Sequence, residues 1–244
     1  MFPINPVADD ACPRWARLPQ APRNASPVPR LTSLYHWSDP GDYGRRDYPG
    51  NCGGALIADL LRYFRPRKVL DCMTGSGTCR DVCRELRIPC WSADLHSGFD
   101  ACDPDAYPQG ERWPFAFIHP PYWRQKSYTS DPRDLSRTPT LDVYLERLAT
   151  LIETIAGVLT PGGQLAILVG DYTDRELGFL PLTYETKRLA FAAGLRQCCP
   201  DIIRFGHGNS SGRKAYRSSF IPNLHDTLIV LQAATTVAAV RSAA

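Results

Sequence analysis

The sequence predicts an α/β protein with a mostly parallel sheet and helices on both faces. Three observations carry this. From Gly53 to Gln232, short apolar runs bounded by turn residues alternate with segments of helical periodicity. A tight Gly75-Ser76-Gly77 turn links the first apolar run to a helical segment. The composition, 43 % hydrophobic and 22 % charged over 244 residues, is that of a folded globular chain. That length predicts one domain with a sizeable core.

Residues 1–30 hold seven of the 22 prolines and read as an irregular proline-rich arm. Residues 31–51 are rich in Gly, Asp, Tyr and Arg and read as loop. Ala55, Leu56, Leu60, Leu61 and Phe64 then recur at helical spacing, and Pro66 ends that helix. Residues 68–72 (KVLDC) predict a buried strand, 78–87 a helix and 89–94 a second strand. Residues 115–118 (FAFI) predict a third strand, closed by a proline pair. Residues 141–159 predict a long amphipathic helix with Tyr144, Leu148, Leu151, Ile152 and Ile155 on one stripe. Pro161-Gly162-Gly163 predicts a turn, 164–169 a strand and 184–193 a helix with Gly194 beyond its end. Residues 195–205 and 224–232 predict the last two strands. The folded unit is therefore 31–235, with a frayed tail at 236–244.

No apolar run approaches the roughly 20 residues of a membrane span, and no signal-peptide pattern opens the chain, so a cytoplasmic protein is expected. The net charge of +3 permits a nucleic-acid partner without requiring one. Nine cysteines, an odd number without a secretion signal, argue against a disulfide framework. Cys79 and Cys83 are four apart on one helix face, but no second ligand pair follows at zinc-finger spacing. No metal is expected, and the thiols read as small buried apolar groups.

In parallel sheets ligands bind at the carboxyl ends of the strands, where the strand order reverses. Functional residues should therefore follow Cys72, Asp94, Ile118 and Val169. Asp71-Cys72-Met73-Thr74-Gly75-Ser76-Gly77-Thr78 follows the first strand and opens a helix, where two glycines allow close backbone approach of a ligand. Asp94 ends the next strand, 23 residues after Asp71, and can accept from both ribose hydroxyls of a nucleoside cofactor. The third glycine of the dinucleotide fingerprint is absent, as is a phosphate-gripping Gly-Lys-Ser/Thr. His119-Pro120-Pro121-Tyr122-Trp123 follows the third strand. Its prolines remove two backbone donors, and its aromatic rings offer flat faces to a base.

DCMTGSGT followed by HPPYW resembles the class I S-adenosylmethionine-dependent methyltransferases that modify exocyclic amino groups of DNA bases, of the N6-adenine and N4-cytosine type. The resemblance covers most of 48–232. It extends to Tyr48-Pro49-Gly50-Asn51 before the first helix and to FIPNLHD at 220–226. It implies a Rossmann-like fold of seven strands with 224–232 antiparallel, a single catalytic domain, S-adenosylmethionine as cofactor, and duplex or single-stranded DNA as partner. Asp71, Met73, Gly75, Ser76, Gly77 and Thr78 would shape the pocket for the methionine part. Asp94 and Leu95 would hold the ribose, and Asp100, with Phe99 beside it, the adenine amino group. Tyr48, Pro49 and Asn51 would close over the methionine end.

The chemistry explains the catalytic element. The lone pair of an exocyclic amine is delocalised into the ring. Acceptors aimed at its two N–H groups localise it and stabilise the positive charge that grows as the methyl arrives. The side chain of His119 and the Pro120 carbonyl would be those acceptors, with the flipped base stacked on Tyr122. The family more often has Asp, Asn or Ser in place of His119. Only neutral imidazole accepts a hydrogen bond, so activity should fall below roughly pH 6–6.5. The target atom stays open between adenine N6 and cytosine N4.

Two polar stretches, 123–140 with Arg124 and Lys126 and 204–222 with Arg204, His207, Arg213, Lys214 and Arg217, are the expected nucleic-acid contacts. No separate recognition domain can be placed, so a short or relaxed recognition site is expected. Three other readings stand beside this one: a methyltransferase of RNA bases or glutamine amides, a non-catalytic nucleic-acid-binding homologue, and an NAD-dependent dehydrogenase. The missing glycine and the Pro-Pro-Tyr element argue against the last.

Overall fold

The structure is a computed structural model that describes residues 26–36, 39, 41–205, 221 and 223–235. Most of the proline-rich arm, the tail, and His207, Arg213, Lys214 and Arg217 lie outside the described residues.

In chain order the elements are β1 (Leu34–His36), α1 (Ala55–Phe64), β2 (Val69–Asp71), α2 (Thr78–Glu85), β3 (Cys90–Ser92) and β4 (Trp113–Ile118). Then follow α3 (Leu141–Val158), β5 (Leu159–Val169), the hairpin β6 (Tyr172–Asp174) and β7 (Gly178–Leu180), α4 (Leu182–Ala192), β8 (Arg196–Gln197), β9 (Ile202–Phe205) and β10 (His225–Gln232). The main sheet runs β1-β9-β10-β5-β4-β2-β3, with β8 also on β10. Its pairs are parallel except those of β10, which is antiparallel to β5, β8 and β9. The expected mostly parallel, Rossmann-like sheet with an antiparallel last strand is present. Among the described residues no helix is long and apolar enough to cross a membrane.

Period-two alternation sorts the side chains onto two cores. Leu70, Ala116, Ile118, Leu165, Ile167 and Val169 face α3 and α4. Val69, Phe115, Phe117, Ala166 and Leu168 face α1 and α2. The predicted stripe of α3 is seated on the first core, with Tyr144, Leu148, Leu151, Ile152 and Ile155 all fully buried. Each such aliphatic side chain contributes about 1.5–3 kcal/mol.

Three expectations are corrected. The segment read as loop at 31–51 contains an edge strand, β1, too short for periodicity to register. It is fixed by pairing with β9 and by the buried Tyr35 hydroxyl on Asp59, 2.9 Å. The run 195–205 is two strands, interrupted around Pro200, so eight strands occupy seven sheet positions. Pro161-Gly162-Gly163 is not a turn between elements. Trp113 pairs with Leu159, and a register shift carries the extra residues within β5.

After β2 the chain steps outward to β3, then returns to the other side of β2 as β4. The crevice at the carboxyl ends of β2, β3 and β4 is the point of reversal.

Candidate active site

A single cavity fills that crevice. It opens to solvent, with about 890 Å3 of space between its walls when the mouth is included. The glycine loop forms its floor. Gly75 (φ 51) and Gly77 (φ 88) lie in the left-handed region, which turns the chain sharply into α2. A Cβ on Gly75 would stand 3.2 Å from the Tyr48 ring, so tyrosine and loop already touch. The Gly75 N–H donates to Asp94 Oδ2 at 2.9 Å, which ties the loop to the end of β3. Asp71 is buried and accepts from Ser92 Oγ at 2.9 Å. Desolvation pushes its carboxyl up to about 7, against the opposing pull of the Ser92 and Met73 hydrogen bonds.

The residues after β3 form one wall. Asp94 Oδ1 accepts from the His96 N–H at 3.0 Å and caps the turn that carries Leu95. Each Asp94 oxygen keeps a second lone pair for a hydroxyl. Phe99 and Asp100 also line the cavity. Asp100 accepts from the Cys102 N–H and pairs with Arg147 at 3.3 Å.

His119 and Pro121 line the opposite wall, at the end of β4. His119 Nε2 lies 3.0 Å from the Tyr122 hydroxyl. The Tyr144 hydroxyl donates to the Pro121 carbonyl at 2.7 Å and locks the proline pair onto α3. The Tyr122 phenol packs beside Asp226 and against Gly170, and burial holds it well above the usual tyrosine range. Asp226 pairs in turn with Arg204 at 2.6 Å.

Of the predicted cofactor residues, Tyr48, Asp71, Met73, Gly75, Ser76, Thr78, Asp94, Leu95 and Asp100 line this one cavity. Pro49, Asn51 and Gly77 do not. Asn51 is a clasp: its amide donates to the Tyr43 and Arg45 carbonyls, and its oxygen accepts from the Gly53 N–H and the Thr78 hydroxyl. It holds the segment before α1 against the start of α2.

Two expectations for the catalytic and basic residues are corrected. Trp123 is 2 % exposed, and its indole N–H donates to the Thr138 carbonyl at 3.1 Å. Its ring is core and offers no face to a base. Arg204 is 3 % exposed, with its guanidinium bound to Asp226 and to the Cys52 carbonyl. It is an internal cation, not a phosphate contact. Arg124 sits over the Trp123 ring, forked onto Asp174 at 2.8 and 3.0 Å with Glu176 at 2.5 Å. Lys126 is exposed.

Sequence reasoning missed the third wall. Tyr128, Thr129, Arg133 and Asp134 line the cavity, and Tyr128 stacks on Tyr48 with centroids 6.1 Å apart. This segment is organised by Asp134, 3 % exposed, which accepts from the Thr129 N–H, the Thr129 hydroxyl and the Ser136 N–H. An Asp two residues before a Ser in a polar stretch is a turn-capping signal, the one clue the sequence offered.

No family profile matches the chain, and no curated protein matches it. Solved structures resemble it weakly. TTHA0409 of Thermus thermophilus, described as a candidate DNA modification methylase and crystallised with S-adenosyl-L-methionine, aligns at 16 % identity over 69 % of this chain and 56 % of its own, with TM-score 0.40. TrmN of Thermus thermophilus aligns at 14 % identity over 73 % of this chain and 48 % of its own, with TM-score 0.41. The N-methyltransferase NodS of Bradyrhizobium japonicum, in complex with S-adenosyl-L-homocysteine, aligns at 12 % identity over 75 % and 74 %, with TM-score 0.39. This chain thus spans about half the length of the first two.

Proposed function

We propose that the protein transfers a methyl group from S-adenosylmethionine to the exocyclic amino group of a DNA base, adenine N6 or cytosine N4. One observation carries the reading. The glycine loop with Asp94, and His119 with Pro121, separate in sequence, share one cavity. A nucleoside end and an amine-activating end are thus within reach of each other.

The glycine loop, with Asp71 beneath it and Tyr48 above, takes the methionine part. Asp94 accepts the ribose hydroxyls, and Phe99 and Asp100 flank the adenine. When bound, the cofactor supplies a methyl carbon made electrophilic by its sulfonium. His119 and the Pro120 carbonyl accept from the two N–H groups of the target amine and localise its lone pair. The base leaves its stack and rests beside Tyr122.

The Tyr122 phenol gives His119 its orientation. Its hydroxyl lies 3.0 Å from His119 Nε2, and Asp226 packs beside the phenol.

A second reading is methylation of an RNA base or a glutamine amide, and one observation favours the amide. Of the three proposed phosphate contacts among the described residues, only Lys126 points to solvent unengaged by a carboxylate. The test is a transfer assay with labelled S-adenosylmethionine on unmethylated duplex DNA, single-stranded DNA, RNA and protein, with His119→Ala as control. Label in N6-methyladenine or N4-methylcytosine, absent from the control, is the expected result. Label only in RNA or protein moves the function to the second reading, and no label anywhere, with cofactor bound, refutes both.

A further inference from the structure

Cys79 and Cys83 stand one turn apart on α2, and Cys90 opens β3. The helix-to-strand return brings a third thiol to the pair, which spacing alone did not show. The three Sγ atoms lie within 4.8 Å of one another. Cys79 and Cys83 are buried at 3 % and 0 % exposure, and Cys90 is half-buried, so the cluster has an apolar body and one side near the surface.

We propose that Cys79, Cys83 and Cys90 form a three-coordinate site for a soft, thiophilic monovalent cation, Cu(I) in class. A metal–thiolate bond of about 2.3 Å in trigonal geometry sets the sulfurs about 4.0 Å apart, so side-chain closure of under an ångström suffices. Thiolates select soft ions. Structural zinc takes four ligands, and among the described residues no fourth His, Cys, Asp or Glu joins the cluster. Val82, Leu86 and Ile88 belong to the same apolar cluster as the three cysteines. The ligand form is the thiolate. Each sulfur that binds as thiolate releases its proton to solvent. The ion ties α2 to β3, the two elements between which the glycine loop and Asp94 meet, and Cys79 also lines the cavity. The inference is independent of the methyl-transfer reading.

The test is an anaerobic titration of the reduced full chain with Cu(I), against a chromophoric Cu(I) chelator. One equivalent is expected to be retained by the protein and to raise its melting temperature. X-ray absorption should show three sulfurs at about 2.3 Å. Cys83→Ser and, at the half-buried position, Cys90→Ser should each weaken retention at least tenfold. Cys198→Ser with Cys199→Ser, at the other cysteine pair, should not. Circular dichroism checks that each variant is folded, and Cys90→Ser decides the matter if Cys83→Ser is not. Retention unchanged by Cys90→Ser, copper lost with the 198–199 pair, or four-ligand Zn(II) binding in preference to Cu(I) would each overturn the proposal.

Discussion

Replacing Asp71 by Asn should stabilise the protein at neutral pH and leave it nearly unchanged in acid. The carboxyl is 2 % exposed, and burial pushes it from 3.8 to about 7. In the unfolded chain it titrates near 3.9. Between those values the folded state keeps a proton that the unfolded state has released. Stability therefore falls as pH rises from about 4 to 7 and is level above. A difference of about three pH units corresponds to about 4 kcal/mol, an upper bound because buried groups relax. The amide is neutral throughout and has the same shape, and it can still pair with the Ser92 hydroxyl. Urea unfolding of both proteins from pH 4 to pH 8.5 isolates the effect. The two curves should coincide near pH 4 and diverge by about 1.4 kcal/mol per pH unit until about pH 7. Parallel curves across that range would refute the burial argument. Under the proposed function, the ionised carboxylate is retained at this cost because it faces the cofactor cavity.

Further outcomes follow from the same geometry. Trp123→Ala removes a buried indole and its bond to Thr138, and should cost about 3–5 kcal/mol in urea unfolding. A loss below about 1 kcal/mol would mean the ring is not core. Arg204→Met leaves Asp226 without its cation and should cost about 3–5 kcal/mol. Weaker nucleic-acid binding at unchanged stability would instead restore arginine's role as a phosphate contact. Tyr122→Phe removes the hydroxyl that holds His119 and should slow methyl transfer about 5–150-fold, the equivalent of 1–3 kcal/mol, with cofactor affinity by calorimetry unchanged. An unchanged rate would separate His119 orientation from the phenol.

The local signals were legible because each is written in neighbouring residues. The alternation of Val69 and Leu70, and of Phe115 to Ile118, places side chains on two cores by strand geometry alone. The glycine loop and Asp94 line one cavity, since a strand-turn-helix-strand unit puts them side by side. Tyr122 and Trp123 look alike on composition, yet the Tyr122 hydroxyl meets His119 while the Trp123 indole meets the Thr138 carbonyl. A positive φ of 47 at Trp123 turns its ring inward beneath Thr138. The sequence shows two adjacent aromatics and no sign of that turn.

By itself the sequence determined most strands of the sheet, the helices that cover it and the two motifs at its crevice, because periodicity and turn chemistry act over a few residues. Tertiary structure alone decided what the charged and sulfur groups do. Arg204 meets Asp226 across 22 residues, Arg124 meets Asp174 across 50, and Cys90 meets a helix face that its own strand only passes by. Each of these outcomes depends on which partner is within a few ångströms after folding. A charge with a buried partner becomes part of the frame, and the same charge in water is a contact for a ligand.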